Sequence, residues 1–207
     1  GIYREGSHYL VYTAVNFIPY LWQYRQVSGV DHYQYFKPVF ELPVKIRNKK
    51  GWLTNIEDGY IKPFPTHMAA DGYKNTSTEL HPTKPLSEIL QWNLNTTSFV
   101  TKDYTGATND AVWEIVEYLS YNPSITASEP FINATQKTKS GVVVFRENSN
   151  PSQNNRYLYY NGVAECDNHQ HPDLLSYIME ANGTVISTDA GYGKDGFSDS
   201  KRNWYIA

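Results

Sequence analysis

An Asn-Gly pair between two β-prone runs constrains this chain more than any other feature. Asn182-Gly183 separates the largely apolar run Leu174 to Ala181 from Thr184-Val185-Ile186-Ser187-Thr188. Both central residues of a two-residue type I′ turn need positive φ, which Asn and Gly adopt at low cost, so the segment is predicted to be a tight β-hairpin. Such a loop pairs Ala181 with Thr184, and an unbroken ladder then sets Asp189 opposite Ser176. The hairpin is entered through Asn168-His169-Gln170-His171-Pro172-Asp173 and left through Asp189-Ala190-Gly191-Tyr192-Gly193. In extended chain His169 and His171 project to the same side. Pro172 fixes its own φ and biases His171 towards an extended conformation. Two imidazoles, a carboxylate and a phenol are thereby expected around one end of the hairpin.

The stretch HQHPDLLSYIMEANGTVISTDAGYG closely resembles the β-domain signature of the heparinase II/III-like polysaccharide lyases, a group that includes many alginate lyases. That signature runs H-x-H-x-D, strand, glycine turn, strand, then D-x-G-x-Y or a near relative. Here Asp189-Ala190-Gly191-Tyr192 brings the tyrosine one place early. Shorter matches lie at Glu5-Gly6-Ser7-His8-Tyr9 and at Arg202-Asn203-Trp204-Tyr205. The resemblance implies a fold of class α+β with more than one domain, the C-terminal part of an (α/α) toroid followed by an antiparallel β-sandwich. Residues 1–125 would be the helical part and 126–207 the first strands of the sandwich, with the substrate cleft between them.

The implied chemistry is β-elimination at a 4-linked uronic acid in an anionic polysaccharide, a glycosaminoglycan or alginate. A base removes the C5 proton and an acid assists departure of the C4 oxygen. The neighbouring carboxylate must be neutralised by cations or strong donors before C5 can carry charge. By the match to the family's E-G-x-x-Y stretch, Tyr9 is the catalytic base or acid. A phenol has an ordinary pKa of about 10, so nearby positive charge is needed for this work near neutral pH. His169 corresponds to the catalytic histidine. From the residues alone, the alternative for Tyr9 is the first ring of an apolar helical face, and for His169 a loop histidine bonded to a carbonyl. His171 and Asp189 match two of three ligands of a zinc site found in several members, the third being a histidine beyond Ala207. That zinc is expected to order the site, since elimination needs no metal hydroxide. The hairpin register speaks against their meeting unless the chain bends after His171, and a His–Asp hydrogen bond without metal is the alternative. Lys194 and Arg146 are the candidate cations for substrate binding.

Composition limits the other classes. The chain of 207 residues has net charge −3, so no global basic field points to nucleic acid. Aromatic residues make up 15 %, with 18 Tyr and 5 Trp, a number that suits sugar faces as well as a tyrosine-rich β-domain. The single cysteine, Cys166, excludes an internal disulfide and is expected to be a small buried residue. No apolar run approaches membrane-spanning length. Gly1 opens within a motif and Ala207 follows a strand-like run, so both ends look cut and the rest of the same enzyme is expected outside this fragment. The resemblance, through its polymer substrate, implies a bacterial periplasmic or secreted location. The sequons at Asn75, Asn95, Asn133 and Asn182 are read as incidental.

In chain order the first quarter reads as helical, with apolar positions from Tyr9 to Trp22 near a 3.6 period and Pro19 a kink or break. Ser28-Gly29 closes that helix and Asp31 caps a second one towards Arg47, interrupted by Pro38 and Pro43. Asn48-Lys49-Lys50-Gly51 is a turn, residues 54–75 are irregular, and helices follow at 85–94 and 109–121. Strands are expected at 141–146 and 157–160, before the hairpin. Helices first and strands afterwards imply segregated layers rather than βαβ units. A cupin would need a glutamate where Ser176 stands, and an amidohydrolase a repeating β/α pattern that is absent. The rival that remains is a non-catalytic carbohydrate-binding or structural β-sandwich module.

Overall fold

The computed structural model describes residues 6–54, 62–63, 66–97, 119, 121–138, 141–162 and 175–187, with backbone alone at 6–9, 11, 12, 15, 62–63 and 66–68. Two helices come first, α1 (Gly6–Ser28) and α2 (Tyr33–Ile46). Gly29, at φ 71°, ends α1 by donating its N–H to Arg25 O, the left-handed stop that glycine accommodates. Asp31 Oδ1 then accepts the N–H of Tyr33 at 2.8 Å and so starts α2. Pro19 breaks nothing, because α1 runs through it, and α2 runs through both Pro38 and Pro43. A proline forfeits its own N–H bond and crowds the preceding turn. In α2 that cost is met by burial of Tyr33, Phe40, Pro43, Val44 and Ile46 on one face.

After the 48–51 turn come two small antiparallel pairs, β1 (Trp52–Leu53) with β2 (Lys62–Pro63), and β3 (Ser77–Thr78) with β4 (His81–Pro85). A 3₁₀ segment, Thr66–Tyr73, lies between the pairs, where an irregular run was expected. Then α3 (Leu86–Asn95) packs on that segment. Close packing of the same segment on α2 depends on Gly72, where a Cβ would sit 2.5 Å from Tyr33 Cγ. Tyr33 and Tyr73 meet edge to face at 5.5 Å, and the Tyr73 hydroxyl donates to Tyr33 O at 2.7 Å.

The second half is a five-stranded antiparallel meander: β5 (Thr135–Lys137), β6 (Val142–Arg146), β7 (Arg156–Asn161), β8 (Tyr177–Ala181) and β9 (Thr184–Ser187). The class is therefore α+β, with helices preceding an antiparallel sheet. The hairpin turns at Asn182 (φ 50°) and Gly183 (φ 77°) and pairs Ala181 with Thr184 as expected. A bulge between Met179 and Glu180 then moves the partner of Met179 from Ile186 to Ser187. The unbroken ladder behind the Ser176–Asp189 pairing does not hold; Asp189 itself lies outside the described residues.

Period-two alternation gives the sheet two unlike faces. Val142, Val144, Tyr157, Tyr159 and Ile178 are buried and join one continuous core with α1, α2 and α3. Phe145, Tyr177 and Met179 lie on the other face and are exposed. Among the described residues no helix is long and apolar enough to cross a membrane.

Candidate functional site

The helical layer meets the sheet at the C-terminal end of α2. A helix leaves its last carbonyls without intrahelical partners, and here the sheet supplies donors. Arg146, last residue of β6, donates through Nη2 to Lys45 O (2.5 Å) and Arg47 O (3.1 Å). The buried Tyr157 hydroxyl donates to Ile46 O at 2.6 Å. A cation at this position also opposes the partial negative charge of the helix end. The Arg146 guanidinium lies 5.6 Å from the Tyr157 ring centroid. Its Nη1 is buried and, among the described residues, has no hydrogen-bond partner.

Arg47 occupies the same seam and is only 2 % exposed. It donates to Asn93 Oδ1 at 2.6 Å, to Thr96 Oγ1 at 3.0 Å and to Thr96 O at 3.1 Å, and it stacks over Trp92 at 4.7 Å. These partners are neutral. Burial, and then the charge of Arg146, push the Arg47 guanidinium below its usual pKa, against a smaller upward pull from Glu129. Burial lowers Arg146 in the same sense. Both remain cations at neutral pH.

Beside them the turn after α2 is built around Asn48. Its carbonyl accepts the N–H of Gly51, its Oδ1 accepts the N–H of Trp52, and its Nδ2 donates to Glu180 Oε1 at 2.8 Å. Gly51 at φ 85° permits the turn, and a Cβ there would come within 2.8 Å of Thr97 Cα. Lys49 and Lys50 are thereby presented at the mouth of a cavity of about 440 Å³. Arg47, Arg146 and Arg156 supply further cations to its lining, and Glu180 the one carboxylate among the described residues. Arg156 faces Glu147 at 3.5 Å. The expected 48–51 turn is present, but the density of cations at the seam was not foreseen. Its signal was available as three basic residues within Arg47 to Lys50.

Arg146, expected to bind substrate, therefore spends Nη2 on the α2 terminus, while its Nη1 is buried without a partner among the described residues. Tyr9 lies on the backbone of α1, and its side chain is outside the description. His169, His171, Asp189 and Lys194 lie outside the described residues, as does most of the helix expected over 109–121. Among the described residues no three His, Cys, Asp or Glu side chains group as a metal site. Comparison with protein-family models and with curated proteins gave no match.

Proposed function

We propose that this chain is a polysaccharide lyase that cleaves a uronic-acid-containing polysaccharide by β-elimination. The observation that carries the reading is the sequence from His169 to Gly193, with its H-x-H-x-D entry, Asn-Gly turn and D-x-G exit. The β8–β9 hairpin, with Ala181 paired to Thr184, supports it by supplying the strand–turn–strand that this signature requires. Helices followed by an antiparallel sheet agree with an (α/α) toroid joined to a β-sandwich. The exposed apolar face with Phe145, Tyr177 and Met179 calls for a second layer, as a sandwich would provide.

In this reading Tyr9 and His169 are the acid–base pair, one abstracting the C5 proton and the other protonating the C4 oxygen. Lys194, with Arg146 through its uncommitted nitrogen, would attract the uronate carboxylate and make C5 acidic. His171 and Asp189 offer an imidazole and a carboxylate, a donor set that suits zinc, in a site-ordering role. A polymer substrate implies a periplasmic or secreted bacterial protein.

One observation favours a second reading, a carbohydrate-binding module without chemistry. Phe145 and Tyr177 stand exposed on a single sheet face, as sugar-stacking rings do. The test is a time course of the conjugated C4–C5 double bond in the ultraviolet, with glycosaminoglycan and alginate polymers offered in parallel. Growth of that absorbance with one polymer, lost in His169→Ala, is the expected result. Binding without absorbance would select the module and end the lyase reading.

A further inference from the structure

The seam cavity carries an unbalanced charge. Among the described residues, Arg47, Lys49, Lys50, Arg146 and Arg156 line it against Glu180 alone. Asn48 already hydrogen-bonds that carboxylate, and Arg156 has Glu147 beside it. Among the described residues neither Arg47, Arg146, Lys49 nor Lys50 makes an ion pair. The chain as a whole is acidic, at net charge −3, so this cluster is a local feature and not a sample of a basic surface.

Charges of one sign held together in a partly desolvated place repel each other; the hydrogen bonds that Arg47 and Arg146 donate go to neutral acceptors, and Glu129 adds only a smaller attraction on Arg47. Arg47 is satisfied by carbonyls, an amide and a hydroxyl. Arg146 is half satisfied, its Nη1 buried without a partner among the described residues. A group with negative charge and several acceptor oxygens would offset the excess of cations and accept from the exposed Lys49 and Lys50 ammonium groups. The volume of about 440 Å³ falls within the roughly 300–1,000 Å³ of small-ligand sites. Amides of Asn155 and Asn182 add neutral polar groups at the rim, with Lys49 Nζ donating to Asn155 Oδ1 at 2.9 Å.

We propose that the cavity between the α2 terminus and the Asn182-Gly183 end of the sheet is an oxyanion-binding site, taking a carboxylate or sulfate group between Lys49, Lys50 and Arg146. Burial lowers the pKa of both Arg47 and Arg146, and a bound anion would act on them in the opposite sense. Such a group arrives either as a free anion or on an acidic saccharide. The site stands on its own geometry and does not require the lyase reading.

The experiment follows backbone amide shifts of Asn155, Asn182 and Gly183 while sodium sulfate is titrated at constant ionic strength, and then a 4-linked oligouronate. It is repeated with Lys49→Ala/Lys50→Ala, two exposed positions whose loss leaves the Arg47 and Asn48 hydrogen bonds in place. Saturable shifts with either probe are expected, weakened roughly tenfold or more in the double variant, which forfeits two charge-assisted contacts. Tighter binding of the oligouronate, displaced by sulfate, assigns the source as a saccharide; sulfate binding equal or tighter assigns a free anion. Shifts that never saturate, or that are the same in a folded double variant, overturn the proposal. Neither result depends on turnover, so failure here and failure of the lyase reading are separable.

Discussion

Two polar clusters hold this molecule together, and they balance charge in opposite ways. In the helical layer, Asp71 accepts from Arg25 at 2.9 Å, Lys74 at 2.6 Å and Asn122 at 2.7 Å. The carboxylate has cations to match, and its surroundings are a buried tyrosine pair, Tyr33 and Tyr73. At the seam with the sheet, Arg47 and Arg146 are held by carbonyls, amides and a hydroxyl instead. The first cluster is a closed structural unit. The second fixes its cations in place without an ion pair to Arg47 or Arg146 among the described residues, a condition that favours an incoming anion.

Substitution should separate the two most clearly at Arg47. Arg47→Ala strips donors from Asn93 Oδ1, Thr96 Oγ1 and Thr96 O inside the core, and should cost about 3–5 kcal/mol. Asp71→Asn keeps the shape and loses charge at a rim that solvent still reaches, and should cost about 1 kcal/mol. Urea melts of both variants would measure the difference. Equal losses would mean that the two clusters are not different in kind.

Tyr73→Phe is smaller and tests the closed unit alone. It removes the bond to Tyr33 O but leaves the ring against Tyr33 and Phe40, so a loss of about 1–1.5 kcal/mol is expected by thermal melting.

Titration gives each end of the pH scale a cause. Burial raises the Tyr33 phenol to about 12, above its ordinary 10.0, against a downward pull from Arg25. A raised folded pKa contributes stability that is complete below 10 and disappears as pH climbs towards 12. Tyr73 and Tyr157 shift in the same direction, mainly through burial, and add to the alkaline loss. For Asp71 burial pushes upward, but the hydrogen bonds from Lys74, Asn122 and Arg25 outweigh it, and its pKa falls. A lowered carboxylate contributes stability above the ordinary carboxylate range and loses it as pH falls through the folded value. A pH series of melts should therefore show an acid limb that shrinks in Asp71→Asn and an alkaline limb that does not.

The sequence was most legible where a single residue sets backbone geometry. Gly29, Asp31 and Asn182-Gly183 each specify a local conformation that tertiary context has no reason to change, and α1, α2 and the hairpin begin or end at them. Proline misled because its penalty is a fixed local cost, while the burial of Phe40, Pro43 and Val44 that outweighs it is a property of the packed layer. The pair β3–β4 escaped notice because Pro82 and Pro85 argue against a strand, and only an edge position tolerates them. The bulge at Met179 and Glu180 has no glycine to announce it. Of the candidate site, Arg146 was legible as a strand-end cation. Its partners, Lys45 O and Arg47 O, lie 101 and 99 residues away and carry no sequence signal at all.

The lyase reading meets its most direct measurement at Tyr9. Tyr9→Phe removes one oxygen and keeps the ring, so chemistry and packing part company in a single variant. Under the lyase reading, turnover of whichever polymer yields the ultraviolet-absorbing product should fall by at least about a hundredfold while the melting temperature stays within about a degree of the parent. Unchanged turnover together with a clear fall in melting temperature would make Tyr9 a packing residue and contradict the assignment.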